Sequence, residues 1–223
     1  MKLALCTLVL VASLAAGGAS ARPVSQGPTV FAAASLSDAF PKIARSAKYS
    51  FGGSNALAAQ IRLGAPADVF ASANMALPRA LYKDRLCSKP VVFTRNSLVL
   101  IVPRSNPANI NSLYDLRKSG VKLVIAAPGV PVGAYTIRVL AKVALNEADA
   151  GFVYSTDART VPRKVSAVKI PARAQPNVQY GICVVAAGSR KPAARAFVKR
   201  VLGKAGQRIL ISYGFLPRVK PRR

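Results

Sequence analysis

The sequence predicts an α/β fold, on three observations. Short apolar runs of strand length alternate with amphipathic stretches of helix length from Thr29 to Tyr213. Several of the stretches open on a capping serine or asparagine and stop at a glycine. Three of the strand-to-helix junctions are turns whose backbone N–H groups are left free, at Ser35, at Gly52–Ser54 and at Pro128–Gly133.

Taken in order, Thr29–Ser35 (TVFAAAS) reads as a buried strand. Leu36–Ala47 reads as a helix with Leu36, Ala39, Phe40, Ile43, Ala44 and Ala47 on one face. A short strand then runs into Gly52-Gly53-Ser54, where the glycines allow unusual backbone angles and Ser54 stands at the N-cap of a helix. Leu57 and Ile61 form its apolar face and Gly64 ends it. Val69–Ala73 is the next strand and Met75–Leu86 the next helix; Val91–Phe93 and Ser97–Val102 read as two strand segments of one apolar sheet. Asn111 or Ser112 caps a short helix that stops at Gly120, and Leu123–Ala127 is a buried strand. The turn Pro128–Gly133 leads into a helix over Val132–Leu145, and Gly151–Tyr154 is a strand. Strands follow near Val165–Ile170 and Tyr180–Ala186, then helices over Lys191–Leu202 and Lys204–Tyr213, with Phe215, Leu216 and Pro217 docking the end.

Free amides at a helix N-terminus, with a dipole end of about +0.5 charge, favour an anion without any cationic side chain. Serine is a routine helix cap, so Ser54 alone decides nothing. A second serine at the end of a neighbouring strand, Ser35, makes convergence on one small anion the sharper reading, because ligands of parallel sheets collect at the carboxyl ends of strands. The Tyr154 hydroxyl either donates to the same anion or caps a core edge. Asp157 fits a turn cap or a brace better than a partner for an anion.

Composition restricts the class. Met1, Lys2, the apolar run Leu3–Ala16 and the small residues ending at Ala21 have the form of a secretory signal peptide, which puts the mature start at Arg22. The chain carries 33 Lys and Arg against 7 Asp and Glu, a net charge of +26, and no His. Such an excess attracts polyanions, but the basic residues are scattered; only Arg218–Arg223 is dense, and it has no interleaved aromatics for stacking on bases. A catalytic constellation is missing as well, since no His is present and neither serine has an evident activating neighbour. Outside the leader, Cys87 and Cys183 are either one disulfide, closing a loop of about 100 residues for ~4–5 kcal/mol, or two buried thiols. Two thiols without His make side-chain metal binding improbable.

The stretches VFAAASLSDAF, FGGSNALAAQIRLGAPADVFASA, VPVG, NEADAGFVYSTDA and YGFLP, in that order across Thr29–Pro217, resemble the exported molybdate-binding receptors of bacterial ABC importers. The resemblance implies the two-lobed (type II) periplasmic binding protein fold, with lobe 1 at residues 29–88 plus 185–217, lobe 2 at 89–184 and a basic tail at 218–223. It implies a periplasmic, monomeric, non-enzymatic protein without a cofactor or specific nucleic-acid partner, which binds molybdate or tungstate and delivers it to a membrane permease. The implied oxyanion ligands are the Ser35 and Ser54 hydroxyls from the first lobe, and the Val132 N–H and the Tyr154 hydroxyl from the second. The family usually has alanine at the place of Val132, a change that keeps the backbone donor. Between Leu140 and Asn146 the chain lacks roughly two dozen residues that the family carries, including one backbone ligand, so the second lobe is expected to be shortened. A basic exported polyanion binder on the same scaffold is the competing expectation.

Overall fold

The computed structural model describes residues 27–125 and 141–218. The expected leader, the Pro128–Gly133 turn and most of the helix expected after it lie outside the described residues.

Two sheets carry the chain. The first has the order β2-β1-β3-β9-β4, built from β1 (Thr29–Ala33), β2 (Lys48–Gly52), β3 (Val69–Ser72), β4 (Val91–Asn96) and β9 (Val178–Val184). The second has the order β6-β7-β5-β8, from β5 (Leu98–Pro103), β6 (Leu123–Val124), β7 (Ala150–Tyr154) and β8 (Val165–Lys169). β1 pairs in parallel with β2 and β3, which brings three strand carboxyl ends together, whereas β9 runs antiparallel to both β3 and β4.

This division corrects the expected boundaries. β4 and β9 belong to the first sheet, so the sheets change over at Asn96–Leu98 and between Lys169 and Val178, and not at residues 88 and 184. The two strands read as one apolar sheet, β4 and β5, fall on different sheets for the same reason: the polar pair Asn96-Ser97 interrupts the apolar run where the chain crosses. The two crossings are clamped together. Leu98 N–H donates to Gln175 Oε1 at 3.0 Å, and Gln175 Nε2 returns a bond to Leu98 O at 2.7 Å.

The helix expected over Leu36–Ala47 is broken into a 3-10 turn at Ala34–Leu36 and a short α1 at Phe40–Ile43. Pro41 is the cause, because it has no N–H to give to the preceding turn and is tolerated only where a helix starts. The apolar face survives the break, with Leu36, Ala39, Phe40, Ile43 and Ala44 all buried. α2 (Ser54–Arg62) and α3 (Ala76–Lys83) follow β2 and β3. Gly64, at φ 85°, ends the first of these as the sequence predicts, since few residues with a Cβ adopt that angle. α3 approaches β9 so closely that a Cβ on Gly181 would lie 2.8 Å from Pro78 Cγ.

Ser155–Ala158 forms a single turn, α4, directly after β7. α5 (Lys191–Leu202) and α6 (Lys204–Ser212) close the chain over the first sheet. The main core lies there: Phe40 packs against Tyr49, Phe93 and Phe197, and Tyr180 against Phe93, Tyr154 and Phe215. The chain end docks as expected, Leu216 bridging Arg95 and its carbonyl accepting the Thr94 hydroxyl at 2.9 Å. Among the described residues no helix is long and apolar enough to cross a membrane.

Candidate functional site

The parallel strands β2, β1 and β3 end at Gly52, Ala33 and Ser72, and each is followed within two residues by a polar or turn-forming element. Ser35 sits in the 3-10 turn after β1. Ser54 is the first residue of α2, with Gly53 as the N-cap, one residue earlier than the sequence suggests. Neither Gly52 nor Gly53 takes a positive φ; among the described residues that angle occurs in glycine at Gly64, Gly120 and Gly214. The turn is thus formed by ordinary extended backbone running into a helix.

Ser54 is 2% exposed, and its oxygen accepts the Ala73 N–H at 3.0 Å. This bond ties the start of α2 to the end of β3. It uses a lone pair of the hydroxyl and leaves the O–H proton available as a donor. Ser35 Oγ lies 2.9 Å from the Tyr180 hydroxyl. Asn96 Nδ2 donates to that same Tyr180 oxygen at 3.2 Å and to Thr156 Oγ1 at 3.0 Å, while Ser155 Oγ donates to Asn96 Oδ1 at 3.0 Å. With its oxygen already receiving the Asn96 N–H, the Tyr180 hydroxyl can direct its own proton to Ser35, which frees the Ser35 proton to point outward.

Tyr154 ends β7, as the sequence predicts, and is 3% exposed. Its ring packs on Tyr180 with centroids 5.8 Å apart. Burial, then the charge of Asp157, holds its hydroxyl well above the ordinary tyrosine range, with its hydrogen bond to Tyr180 opposing. Tyr180 is pushed in the same direction by burial and by Tyr154. Both are therefore neutral O–H groups at any ordinary pH, able to donate and carrying no charge to repel an anion. Asp157 is itself 8% exposed; its carboxylate accepts Thr156 Oγ1 at 3.4 Å and its carbonyl accepts the Thr160 N–H, the bracing role the sequence suggests.

The structure thus draws Ser35 and Tyr154 into one neighbourhood through Tyr180, and sets Ser54 at the end of the adjoining strand. Val132 lies outside the described residues. Sequence reading passed over Asn96, Thr156 and Tyr180, which link the two sheets. The signal for Asn96 was present in the polar break of VVFTRNSLVLIV; that for Tyr180 was weak, one tyrosine in an apolar strand. A cavity of about 240 Å³ opens beside Ser35, lined by Asp38, Thr156, Asp157, Arg159 and Tyr213. A larger one of about 730 Å³ lies along α5 near Val184, Lys191 and Leu202. Val184 pairs with Val69, the first residue of β3, so that groove is at the opposite end of the parallel strands from the serines.

The sequence matches the family model of the bacterial extracellular solute-binding proteins in two segments, residues 28–147 and 138–216. The chain belongs to this family. The molybdate-binding protein ModA of Mycobacterium tuberculosis is 37% identical to it, covering 95% of each chain, and ModA of Haemophilus influenzae is 31% identical, covering 94% of this chain and 97% of that one. The periplasmic molybdate-binding protein of Azotobacter vinelandii superposes with a TM-score of 0.71 at 20% identity, covering 86% of this chain and all of that one, a likeness of fold. For this solute-binding protein the alignment to the mycobacterial relative spans 249 positions, more than the 223 residues of the chain, so the relative carries segments that are absent here. The two matched segments meet at residues 138–147, where the sequence predicts the missing piece.

Proposed function

We propose that the chain is an extracytoplasmic receptor that captures molybdate, and tungstate with it, between its two lobes and delivers it to an ABC permease. The observation that carries this reading is the pair of serine hydroxyls, Ser35 and Ser54, at neighbouring strand ends, the first hydrogen-bonded to the Tyr180 hydroxyl and the second accepting the Ala73 N–H. Such hydroxyls offer protons to an oxyanion stripped of water. The Tyr154 hydroxyl and the Val132 N–H complete the proposed set from the second lobe. Each neutral donor to a charged acceptor contributes about 1.5–3 kcal/mol, so several together offset the loss of the ion's hydration without a compensating Lys or Arg. Lobe closure around the ion would be the signal that the permease reads.

The charge of +26 favours a second reading, a basic polyanion binder that has kept the scaffold. Thermal unfolding with molybdate, tungstate, sulfate and phosphate, at low and high salt, separates the two. The receptor reading expects a midpoint rise with molybdate that persists at high salt, because a ligand at 1,000 times its Kd adds about 4 kcal/mol. No rise with molybdate, together with retention on heparin that falls steeply with salt, would replace it with the second reading.

A further inference from the structure

Asn96 stands where the chain leaves the first sheet, at the end of β4 opposite Val178, and it is 3% exposed. Its side-chain amide is fully engaged. Oδ1 accepts the Ser97 N–H at 2.9 Å and the Ser155 hydroxyl at 3.0 Å, while Nδ2 donates to Thr156 Oγ1 at 3.0 Å and to the Tyr180 hydroxyl oxygen at 3.2 Å. The Ser97 N–H can only donate, so it fixes which end of the amide is oxygen and, with that, the direction of the other bonds.

Between Tyr180 and Ser35, by contrast, the 2.9 Å separation does not say which oxygen donates. The Asn96 N–H decides it. By taking one Tyr180 lone pair it disfavours a second donor at that oxygen and turns the Tyr180 proton toward Ser35; Ser35 then accepts, and its own proton faces the site. We propose that Asn96 is a positioning residue for oxyanion capture: through Tyr180 it sets Ser35 as a donor, and it does so from a seat supplied by the second sheet. The inference rests on the proposed role of Ser35 as an oxyanion ligand.

The seat is the turn that follows Tyr154. Ser155 and Thr156 open α4, and the Ser155 N–H donates to Ser97 O at 2.9 Å. Thr156 Oγ1 accepts from Asn96 and donates onward to Asp157 Oδ1 at 3.4 Å, so it has no proton to offer the amide. Tyr154, the proposed hydroxyl ligand of the second sheet, immediately precedes this turn and pairs with Leu98 across it. One amide thereby registers Ser35 and Tyr154 against each other at the crossing. Packing does not require an amide there: apolar groups of the same shape stabilise a core about as well as a satisfied polar pair, whereas its directionality has no apolar substitute. Moving α4 off Asn96 would release the constraint on Ser35, so grip on the ion and the docking of the turn favour each other.

The test is calorimetric titration of molybdate into two variants of the full chain, each made with and without Ser35→Ala and each checked for cooperative melting. Tyr180→Phe removes one hydroxyl and keeps the ring packing; it should weaken binding roughly two- to tenfold. Asn96→Asp keeps the shape and the acceptor for the Ser97 N–H, but when ionised it has no proton for Tyr180. Tyr180 then donates to the carboxylate, the Ser35 proton turns inward, and binding at neutral pH should weaken further. Affinity of this variant should recover as pH falls and the carboxyl gains a proton, an uptake that the nearby Asp157 carboxylate moves to higher pH, while that of the natural protein stays level. In the Ser35→Ala background the Tyr180→Phe loss should vanish and the Asn96→Asp loss shrink to charge repulsion alone. Losses of equal size with and without Ser35, or unchanged affinity in either variant, overturn the inference. Should Asn96→Asp not melt cooperatively, Thr156→Val, which takes away the seat of the amide and keeps its shape, is read in the same cycle with the same two outcomes. If Ser35→Ala alone leaves affinity unchanged, the proposed role of Ser35 is what fails, and the inference with it.

Discussion

The first sheet and the second are built from the same kind of apolar strand, yet they are stabilised differently. The first packs five fully or nearly buried aromatics, Phe40, Phe93, Tyr180, Phe197 and Phe215, tilted or edge to face beneath α5 and α6. The second buries aliphatic residues on its two faces, Ile101, Val153 and Val165 on one and Leu100, Val102 and Ile110 on the other. It also leaves Leu123, Ile125 and Leu145 at 39%, 61% and 68% exposure. Leu145 lies within Leu140–Asn146, where the sequence predicts the missing piece. Aromatic packing makes the first sheet a platform on which serines can be set accurately. The second has less to hold it.

The largest expected effect follows from that contrast. Phe40→Ala removes a ring in contact with three others and should cost about 3–5 kcal/mol, whereas Ile101→Ala, equally buried in the second sheet, should cost nearer ~2 kcal/mol because its surroundings can collapse. Urea denaturation of both variants checks this. Equal losses would break the comparison.

Next is the shortened segment. Grafting a family-typical insert after Leu145 should tighten molybdate binding by roughly 1.5–3 kcal/mol, tenfold to somewhat over a hundredfold, if the absent stretch supplied an amide donor. The graft should also cover Leu145 and raise the resistance of the second sheet to urea. A folded graft that binds no more tightly than the parent shows that the missing segment costs no ligand.

Ser54→Ala should weaken binding by about 1–3 kcal/mol and also leave the Ala73 N–H without its partner. Ser72 is a useful contrast. It is fully buried, but its hydroxyl serves the local Asn74 turn, so Ser72→Ala should lower stability while leaving affinity nearly unchanged. Calorimetry on both variants distinguishes the two roles, and a comparable affinity loss in both would contradict it.

The smallest effects are in pH. Tyr180 and Tyr49 in the first sheet are shifted upward by burial, so their unfolded forms ionise first, and their contribution is complete below pH ~10 and lost as pH rises beyond it. Asp115 in the second sheet's region is shifted downward, first by the Asn111 N–H and then by Lys118 and Ser112. Its contribution is therefore present above the ordinary carboxylate value and lost as pH falls below it. Alkaline loss should report on the first sheet and on Tyr154 where the second meets it, and acid loss on the Ser112–Arg117 turn, as hydrogen exchange at the two extremes would read. The reverse pattern would mean that other groups govern each limit.

The difference between the sheets also explains what the sequence made legible. Periodicity and stop signals located β1, α2, β7 and α5 closely, because each is a regular element with its own cap or glycine. Lys191–Leu202 was predicted to the residue. Leu36–Ala47 failed because its apolar face is real although its hydrogen bonding is broken by Pro41, and periodicity reads only the face. Membership of β4 and β9 in the first sheet depends on pairings some ninety residues apart in the chain, which no local pattern encodes. The same holds at the site: Ser35 and Ser54 mark themselves at strand ends, while Asn96 and Tyr180 matter only through their partners at Thr156 and Ser35.

The central claim is that hydroxyls on the first sheet hold a bare oxyanion. It is tested most directly by calorimetric titration of molybdate into the natural protein and into Ser35→Ala/Ser54→Ala, with cooperative melting of both confirmed alongside. The account predicts a saturable one-to-one heat for the natural protein and none for the folded double variant. An absence of saturable heat in the natural protein, or undiminished binding by the double variant, would contradict it.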